Sequence, residues 1–503
     1  MRSIKTGISA FLLLTFLSVS AFAATFTVTK IEDTNDGTCD ADCSLREAVA
    51  AANAAGSDDV IEFSSLFDTQ QTITLSGSEI VLVAAGSLLI DGPGADLLTI
   101  SGNNASRIIS TGPNVIATLH GITFTAGNGV GALNTGRGGA IYNAGGTLTI
   151  TNSVITNNNG ANGGGLNNAS SGSPAVPGTL VISNSVISNN TATGSGGAMQ
   201  NFSTSTVTIT NTTISGNVSN GTTGGGGGQY NGGVRFTNVT FANNSAPSGS
   251  GGGFQSNGTL GTIITNVTVV NNSSLNNGGG IHRATTNANF FIRNSIVAGN
   301  NGTAASPDFT NSTGGNQSQG NNIIGNVGTS TGWVASDLQN TAPLLGPLSD
   351  NGGFGQTFLP QAGSPAIDAG QNCVRDLSCK ANNPPAAVTE DQRGISRTTN
   401  GNVDIGSVEV AAAAPVSVGG RVFSSAGVAL PLALVSVTDG NETRYYLTNS
   451  FGNFNFEGLS AGTEYTVSVS SKAAAFAPQV ITPTGNIDDL VFVPNDTFRT
   501  GKE

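Results

Sequence analysis

A repeat dominates the middle of this sequence. Segments such as GGAIYNAGGTLTITNSVITNN and GGAMQNFSTSTVTITNTTISGN, which begin at residues 138 and 196, share one order of paired glycines, polar positions and two apolar runs. The Asn that starts the second run recurs with spacings of 32, 27, 27, 28 and 28 residues. Its positions are Asn152, Asn184, Asn211, Asn238, Asn266 and Asn294. A period of this length is typical of a solenoid or an array of repeated units.

Each repeat consists of strand-like runs and turns. Apolar residues alternate with Thr, Ser or Asn, as in TLTIT at 147–151, and no ten-residue stretch has helical spacing. Leucine-rich repeats need a leucine ladder and usually a helical segment, and propeller blades need about 40 residues. The pattern therefore predicts an all-β fold, a parallel β-helix whose coils stack about 4.8 Å apart.

Two residue types recur at fixed places in the repeat. We expect an Asn turned inward at the same corner of each coil, because it can donate and accept along the stack and satisfy buried polar groups. We expect the paired glycines at corners that need a positive φ angle or a close backbone approach. A phosphate-cradling role is disfavoured because no helix and no Lys follows them. The pairs precede Ile141, Leu166, Met199, Phe254 and Ile281.

The ends of the repeat region differ from the repeats. Residues 43–55, CSLREAVAAANAA, form the one clearly helical stretch after the leader, with Leu45, Val49 and Ala52 on one face. Together with TFTVTKIEDTNDGTCDADCSLREA before it, this passage resembles the CSLREA domain of bacterial exported proteins. The resemblance implies an N-terminal cap, residues 24–70, on a right-handed parallel β-helix, residues 71–340, and it identifies no catalytic residue.

Two further regions follow the repeats. Residues 341–410, with GPLSDNGGFGQTFLPQAGSPAIDAG and DQRGISRTTNGNVDIGSVE, resemble the choice-of-anchor Q region that ends such β-helices, which implies a C-terminal cap. Residues 411–415 are interpreted as a linker. Residues 416–494 have short alternating strands separated by Gly turns, which predicts a β-sandwich, and they resemble the non-catalytic carboxypeptidase regulatory-like domain. Residues 495–503 form a tail.

The first 23 residues have the organisation of a signal peptide. Two basic residues precede an apolar run from Ile8 to Val19, and residues 21–23 supply small side chains for cleavage. A membrane anchor is disfavoured because this run is shorter than the roughly 18 to 20 residues of a spanning helix. We expect a chain that starts near Ala24, has no transmembrane segment, and is secreted or held at the cell surface.

Four cysteines occur as two close pairs, an even number that suits an oxidising compartment. Local disulfides between Cys39 and Cys43 and between Cys373 and Cys379 are the preferred interpretation. A four-cysteine zinc site is the alternative, although neither pair has the two-residue spacing that is common in such sites.

The charge balance excludes one class of partner. Lys and Arg number 18 against 30 Asp and Glu, a net charge of −12, so the basic stripe that nucleic-acid binding needs is absent. Nucleic acid is not expected as a partner, and an extracellular glycan or a surface protein is the alternative.

The repeats lack acidic residues, and this absence limits the catalytic mechanisms that they could support. No Asp or Glu occurs between Leu97 and Pro307. A glycosidase needs a pair of carboxylates and a calcium-dependent lyase needs carboxylates for its cation, and these coils supply neither. His282 and Arg283 are the remaining catalytic candidates, because this repeat carries His-Arg where others carry Tyr-Asn, Asn-Asn or Gln-Asn. A surface pair near a coil corner, without a catalytic role, is the preferred interpretation, because a base without an adjacent metal or orienting acid has little to tune its pKa.

Calcium is the one cofactor that the acidic residues suggest. The first loop contains the candidate ligands Asp33, Asp36, Asp40 and Asp42, but it lacks the EF-hand spacing, so a solvated acidic loop is the preferred interpretation. A second group of acidic residues lies beyond the repeats, and bound calcium is again the alternative to a solvated acidic loop there. Its members are Asp350, Asp368, Asp376, Asp391 and Asp404.

These observations predict an exported bacterial scaffold for surface display or adhesion. The β-helix is expected to bind a glycan or a protein through its lateral face without catalysis and without a cofactor. The alternative is a polysaccharide lyase or another carbohydrate-active β-helix enzyme.

Overall fold

The computed structural model describes residues 23–494 except 203, 259, 285–288, 304, 306, 312–316, 398–400, 411–415, 441 and 473. The predicted signal peptide, apart from its last residue, the predicted linker and the predicted tail lie outside the described residues. Contacts between Cα atoms divide the chain into two compact units between Val410 and Ala411.

The first unit is a parallel β-helix in which each coil contributes strands to separate stacks. Stack 1 pairs its strands in parallel along the whole helix. Two ten-residue strands continue from stack 1 into stack 2. The strands of stack 1 are Thr25–Val28, Asp59–Phe63, Ser87–Asp91, Ile116–His120, Thr147–Thr151, Thr179–Ser183, the first halves of Thr206–Ser215 and Gly233–Ala242, Thr262–Thr265, Phe290–Arg293 and Gln317–Ser318.

Stack 2 follows stack 1 after one corner of each coil. Its strands are Gln71–Thr74, Leu98–Ser101, Thr123–Thr125, Val154–Thr156, Val186–Ser188, the second halves of Thr206–Ser215 and Gly233–Ala242, Thr268–Val270, Ile296–Ala298, Ile323–Ile324 and Leu338–Gln339.

Stack 3 closes each coil, and its nine described strands correspond to about nine coils. Its strands are Ile80–Leu82, Ile109–Thr111, Ile141–Ala144, Leu166–Ala169, Met199–Asn201, Gln229–Tyr230, Phe254–Ser256, Ile281–Arg283 and Phe309–Asn311. A short fourth stack lies between stacks 2 and 3 in the middle coils. It contains Asn159–Gly160, Thr191–Ala192, Val218–Ser219, Ser245–Ala246 and Ser273–Ser274.

Like residues stack on like residues inside the helix. Leu148 is in register with Leu180, and Ile150 with Ile182, and all four side chains are buried in one continuous core. Parallel pairing without a register slip keeps every apolar position on the inner side, because a one-residue slip would turn the whole set outward. The predicted all-β parallel β-helix is therefore confirmed.

The paired glycines combine the two expected roles. Gly163 has a φ angle of +71°, which is in the left-handed region. At Gly164 an added Cβ would collide with the carbonyl oxygen of Gly197 in the next coil. The first glycine of each pair thus permits the turn, and the second permits the close approach of coils.

An inward Asn ladder is present, and its members are not the marker asparagines such as Asn152. Asn152 and its repeat equivalents adopt left-handed φ angles of +46° to +53° at the corner between stacks 1 and 2. The buried ladder lies six residues later, where each Asn donates its backbone N–H and its side-chain amide to the side-chain oxygen of the Asn in the next coil. The marker Asn of each coil thus forms the turn, and a second Asn of the same coil forms the ladder. The ladder consists of Asn158, Asn190, Asn217, Asn244, Asn272 and Asn300.

The predicted helical cap is present at the N-terminal end. The helix Leu45–Ala55 begins after Ser44, and a capping box joins Ser44 and Glu47. It ends at Gly56, which has a φ angle of +69°. A 3-10 helix, Ser65–Asp68, follows the next strand. The buried face of the helix contains Leu45, Val49 and Ala52.

The other end of the helix is closed by an aromatic side chain. Trp333 packs edge-on against Phe309, the last aromatic residue of stack 3, with ring centroids 5.3 Å apart. Its indole N–H donates to the hydroxyl of Ser330 at 3.0 Å. Trp333 is partly buried against the core of the helix.

The region predicted as a C-terminal cap, residues 341–410, packs against the side of the helix. Its hydrophobic residues, including Phe358 and Ile405, join a separate cluster with Val270 and Ile296 on the outer side of stack 2. The region contains a hairpin, Leu345–Ser349 with Thr357–Pro360, and a short helix, Cys373–Asp376. The predicted disulfides Cys39–Cys43 and Cys373–Cys379 are both present.

The second unit contains two sheets around its own core. A three-stranded sheet consists of Val416–Val422, Asn453–Leu459 and Ile487–Phe492, and a four-stranded sheet of Leu434–Thr438, Thr443–Leu447, Tyr465–Ser470 and Gln479–Ile481. Side chains from both sheets, such as Val418 and Val467, form one buried cluster. The C-terminal β-sheet domain was predicted.

Candidate binding face

The outer side of stack 1 is lined with hydroxyl groups over three successive coils. Side chains of a strand alternate between its two sides, and Leu148 and Ile150 point into the core. The residues between them are therefore on the outer side, where they are exposed or half-buried. We call this surface the hydroxyl face. It comprises Thr147, Thr149, Thr151, Thr179, Ser183, Thr206, Thr208 and Thr210.

The register of the strands makes this face regular. Thr147 pairs with Thr179, and Thr179 with Thr206, so three hydroxyl groups form one column. A second column contains Thr151 and Ser183. Neighbouring coils are about 4.8 Å apart and alternate residues of a strand are roughly 7 Å apart, so the columns form a grid.

Several outward positions of stacks 2 and 3 are covered, unlike those of the hydroxyl face. On stack 2, Thr213 and Thr240 face outward but are buried, because residues 356 and 392 cover them with hydrogen bonds of 2.7 and 2.6 Å. On stack 3, the outward Asn167 and Gln200 are also buried and join each other at 3.2 Å. A ligand that approaches from the side can therefore meet the hydroxyl groups of stack 1, beside which Thr156 and Ser188 of stack 2 are also half-buried.

One exposed arginine borders the hydroxyl face. Arg235 pairs in register with Thr208 of the preceding coil and with Ile263 of the following coil. Its guanidinium group is exposed, and no carboxylate of the described residues lies within ion-pair distance of it. The other four arginines of the acid-free span, at 107, 137, 283 and 293, are buried or half-buried.

Those other arginines have structural contacts. The buried Arg107 donates to the carboxylate of Glu79 at 2.7 Å. Arg137 lies over the ring of Phe202, 4.4 Å from the centroid. Arg293 donates to the carbonyl oxygen of Ala381 at 3.1 Å.

A groove lies beside Arg235. Its volume is about 420 Å³, and its walls include Thr206, Leu260 and Ile263. Gly233 lines the groove at the position of the coil where the preceding coils carry Thr147, Thr179 and Thr206. Thr206 and the exposed Leu260 lie close to this glycine on either side.

The other border of the face meets the region packed on stack 2. A cleft of about 230 Å³ lies between Asn211 and Asn238 on one side and the segment 385–390 on the other. Glu390 is an exposed acid at its rim. The hydroxyl face is thus bounded by an arginine on one side and by a segment with an acid on the other.

The catalytic candidates His282 and Arg283 do not converge on one point. They are successive residues of the strand Ile281–Arg283, so their side chains point to opposite sides of stack 3. Both are buried, and burial lowers the pKa of His282 to about 4. A base on one side of the sheet and a cation on the other cannot act together on one substrate atom.

The acidic first loop is occupied by contacts within the protein. Asp33 forms a two-pronged ion pair with Arg46 at 2.8 and 2.9 Å, and Asp42 pairs with Lys30 at 3.1 Å. Asp36 and Asp40 accept backbone N–H groups two residues ahead. Among the residues that the structure describes, no group of three His, Cys, Asp or Glu is placed to hold a metal ion.

The second group of acids is split by the fold. Asp391 and Asp404 are fully buried in a network with Arg397 and Glu409, where Arg397 and Glu409 are 2.9 Å apart. Burial raises the pKa of Asp404 to about 7, although backbone N–H groups of Asp368 and Val410 oppose the increase.

The buried network around Arg397 also connects residues 341–410 to the β-helix. Arg397 also donates to the side-chain oxygen of Asn238 at 2.9 Å, which links it to a corner of the β-helix. Asp350 and Asp376 lie elsewhere and cap nearby backbone N–H groups.

Sequence reasoning did not single out Arg235 as a site residue. The available signal was a charged residue at a repeat position that carries Thr149, Val181 and Thr208 in the three preceding coils. An exception of this kind is visible only after the repeats are aligned by strand register.

Comparisons with known proteins identify the second unit only. Residues 417–490 match the carboxypeptidase regulatory-like domain, which agrees with the predicted resemblance. No curated protein and no solved structure matches the chain. Over the part of the chain that the structure describes, no helix has the length and the apolar character needed to span a bilayer.

Proposed function

We propose that this chain is an exported bacterial β-helix scaffold for surface display or adhesion, which binds an extracellular glycan or a surface protein without cutting it. The observation that supports the proposal best is the hydroxyl face, an open grid of Thr and Ser on stack 1. Hydroxyl groups both donate and accept hydrogen bonds, so they suit sugar hydroxyls and polar protein surfaces alike.

The grid favours weak contacts that repeat. A ligand with its own repeat can engage several coils at once, and each further contact then forms within the complex and adds avidity. Because most of the face is uncharged, binding to it is expected to depend less on salt than binding to a charged patch would.

Two observations support binding without catalysis. The acid-free span from Leu97 to Pro307 contributes no carboxylate to the open face. His282 and Arg283, the remaining catalytic candidates, point to opposite sides of one strand. A general base needs a partner within hydrogen-bond reach of the same reacting group.

Export and the family resemblances are parts of the same proposal. We take residues 24–70 as a CSLREA-type domain and residues 341–410 as a choice-of-anchor Q-like region. The two local disulfides support an oxidising compartment. Intact-mass analysis of exported material with and without reductant tests this, since we expect a chain that begins near Ala24 and holds both disulfides. Four free thiols or an uncleaved leader would contradict it.

Binding and turnover must be measured together. The chain from Ala24 is screened against neutral and acidic polysaccharides, with and without calcium, for both retention and release of sugars. We expect retention without release, for the wild type and for His282→Ala/Arg283→Ala alike. Turnover that is lost in this double variant would establish the enzyme alternative instead, and absence of any binding would refute the glycan part of the proposal.

A further inference from the structure

We infer that the groove beside Arg235 binds the anionic group of an acidic sugar, a carboxylate or a sulfate on an extracellular polysaccharide. This inference rests on the proposed function and names the ligand class for one part of the hydroxyl face. Three features of the groove carry it: an exposed guanidinium group, an open volume of about 420 Å³, and a wall of hydroxyl groups opposite an apolar wall.

The guanidinium group supplies the charge recognition. Arg presents N–H groups in a planar fork that matches a carboxylate or a sulfate, and it remains charged at any physiological pH. Arg235 lies in a span with no acidic residue, and no ion-pair partner for it occurs in the described part of the chain. Its charge is therefore available to a ligand instead of being neutralised within the protein.

The groove itself provides the space for a sugar ring. Gly233 follows Thr206 in its column, and a Cβ built at this glycine would lie 3.3 Å from the Cβ of Leu260 and 3.5 Å from Cγ2 of Thr206. A larger side chain would fill the groove. The groove of about 420 Å³ lies beside this glycine and Arg235, and a sugar ring can lie in it.

The walls supply the remaining contacts. Thr206 and Thr208 offer hydroxyl groups on one side, in register with Gly233 and Arg235. On the other side Leu260 is 54% exposed and Ile263 is half-buried, so apolar C–H groups face the same space. A sugar ring has hydroxyl edges and C–H faces, and this lining contacts both.

The test compares the chain from Ala24 with Arg235→Gln, Arg235→Lys and Gly233→Thr. Arg444→Gln is the matched control, because it removes one exposed arginine from the second unit and leaves the same net charge as Arg235→Gln. Affinities are measured for a polyuronate, a sulfated glycan and a neutral glycan of similar length, each at low and physiological salt.

We expect the wild type to prefer at least one acidic glycan over the neutral glycan, and the stronger of the two acidic ligands identifies the anionic group. Arg235→Gln should lower that affinity by about 10-fold or more, and Arg235→Lys should restore only part of it because the fork is lost. Gly233→Thr should weaken binding without a change of charge. Arg444→Gln should bind as the wild type does.

Other outcomes separate this inference from the proposed function. Equal binding of neutral and acidic glycans, unchanged in Arg235→Gln, would overturn the inference and leave the scaffold proposal standing. Preference for acidic glycans that is as sensitive to Arg444→Gln as to Arg235→Gln would overturn the assigned groove. Absence of any glycan binding would overturn this inference together with the glycan part of the proposed function.

Discussion

Asp308 accepts two hydrogen bonds from Asn300, one from the backbone N–H at 2.8 Å and one from the side-chain amide at 2.9 Å. Each earlier Asn of the inner ladder makes the same pair of contacts to the next coil. A column in which every member donates forward needs an acceptor at its end, and the side-chain oxygen of Asp308 supplies it. The second oxygen of Asp308 accepts the backbone N–H of Asn326 at 2.7 Å.

Replacement of this terminal acid should destabilise the C-terminal coils. In Asp308→Asn one oxygen becomes an amide, so one of the N–H donors from Asn300 or Asn326 would face another donor in a buried site. An unsatisfied buried donor costs about 1–3 kcal/mol. We expect a lower denaturant midpoint, measured by the fluorescence of Trp333, which lies at the same end of the helix.

The matched control is Asp68→Asn, which removes the same charge from an exposed position. It should leave the midpoint almost unchanged. If Asp308→Asn were as stable as this control, Asp308 would not be the required end of the ladder.

Gly164→Ala should disrupt the stacking of coils. The φ angle at Gly164 is not in the left-handed region, so the cost comes from the collision of the new methyl group with the carbonyl of Gly197. Forced overpacking typically costs about 1–3 kcal/mol. In Gly112→Ala the new Cβ would lie 3.8 Å from its nearest neighbours, Val115 and Val83, so thermal unfolding should hardly change. Equal melting temperatures for the two variants would contradict the role of the glycine column.

Stability should depend on pH through Asp404. Burial raises its pKa from 3.8 to about 7 in the folded protein. As pH increases, the unfolded chain ionises first while the native state still holds the proton, so this group lowers stability between about pH 4 and pH 7 and has no further effect above that range. Urea midpoints measured across this range should fall less steeply in Asp404→Asn than in the wild type. The same slope in both proteins would assign the pH dependence to other groups.

The second unit should be separable from the first. The chain divides into two compact units after Val410, and each unit has its own hydrophobic cluster. Truncation after Val410 should therefore leave the free energy of unfolding of the β-helix within about 0.5 kcal/mol of its value in the full chain, as for changes outside the folded core. Circular dichroism and Trp333 fluorescence would measure it. Loss of cooperative unfolding in the truncated chain would place the boundary elsewhere.

The repeat was sufficient to predict the β-helix because the same sequence pattern forms the same strands and corners in each coil. Alternation placed Leu148 and Ile150 inside, and the glycine pairs placed Gly163 and Gly164 at a corner. The repeat predicted an inner Asn ladder but not which asparagines form it. In the sequence, each ladder residue is directly preceded by an Asn or a Gly, as in Asn189-Asn190. This preceding residue has a left-handed φ angle in the structure, as the marker Asn does, so the two sequence patterns are hard to tell apart.

Long-range packing could not be predicted from the repeat. Gln392 is hydrogen-bonded to Thr213, which is 179 residues away in the sequence, and nothing in either local pattern indicates this pairing. The same limit applies to the candidate site. Arg235 becomes conspicuous only when it is aligned with Thr208, and the exclusion of His282 with Arg283 as a pair depends on the strand assignment.

The forward-donating ladder has a genetic consequence. Every coil from Asn190 to Asn272 presents one acceptor to the coil before it and the same two donors to the coil after it. An in-frame duplication of one 27- or 28-residue repeat within this stretch would therefore find matching partners on both sides. Each copy would lengthen the molecule by about 4.8 Å while both ends stayed the same, so its reach can change by recombination between repeats.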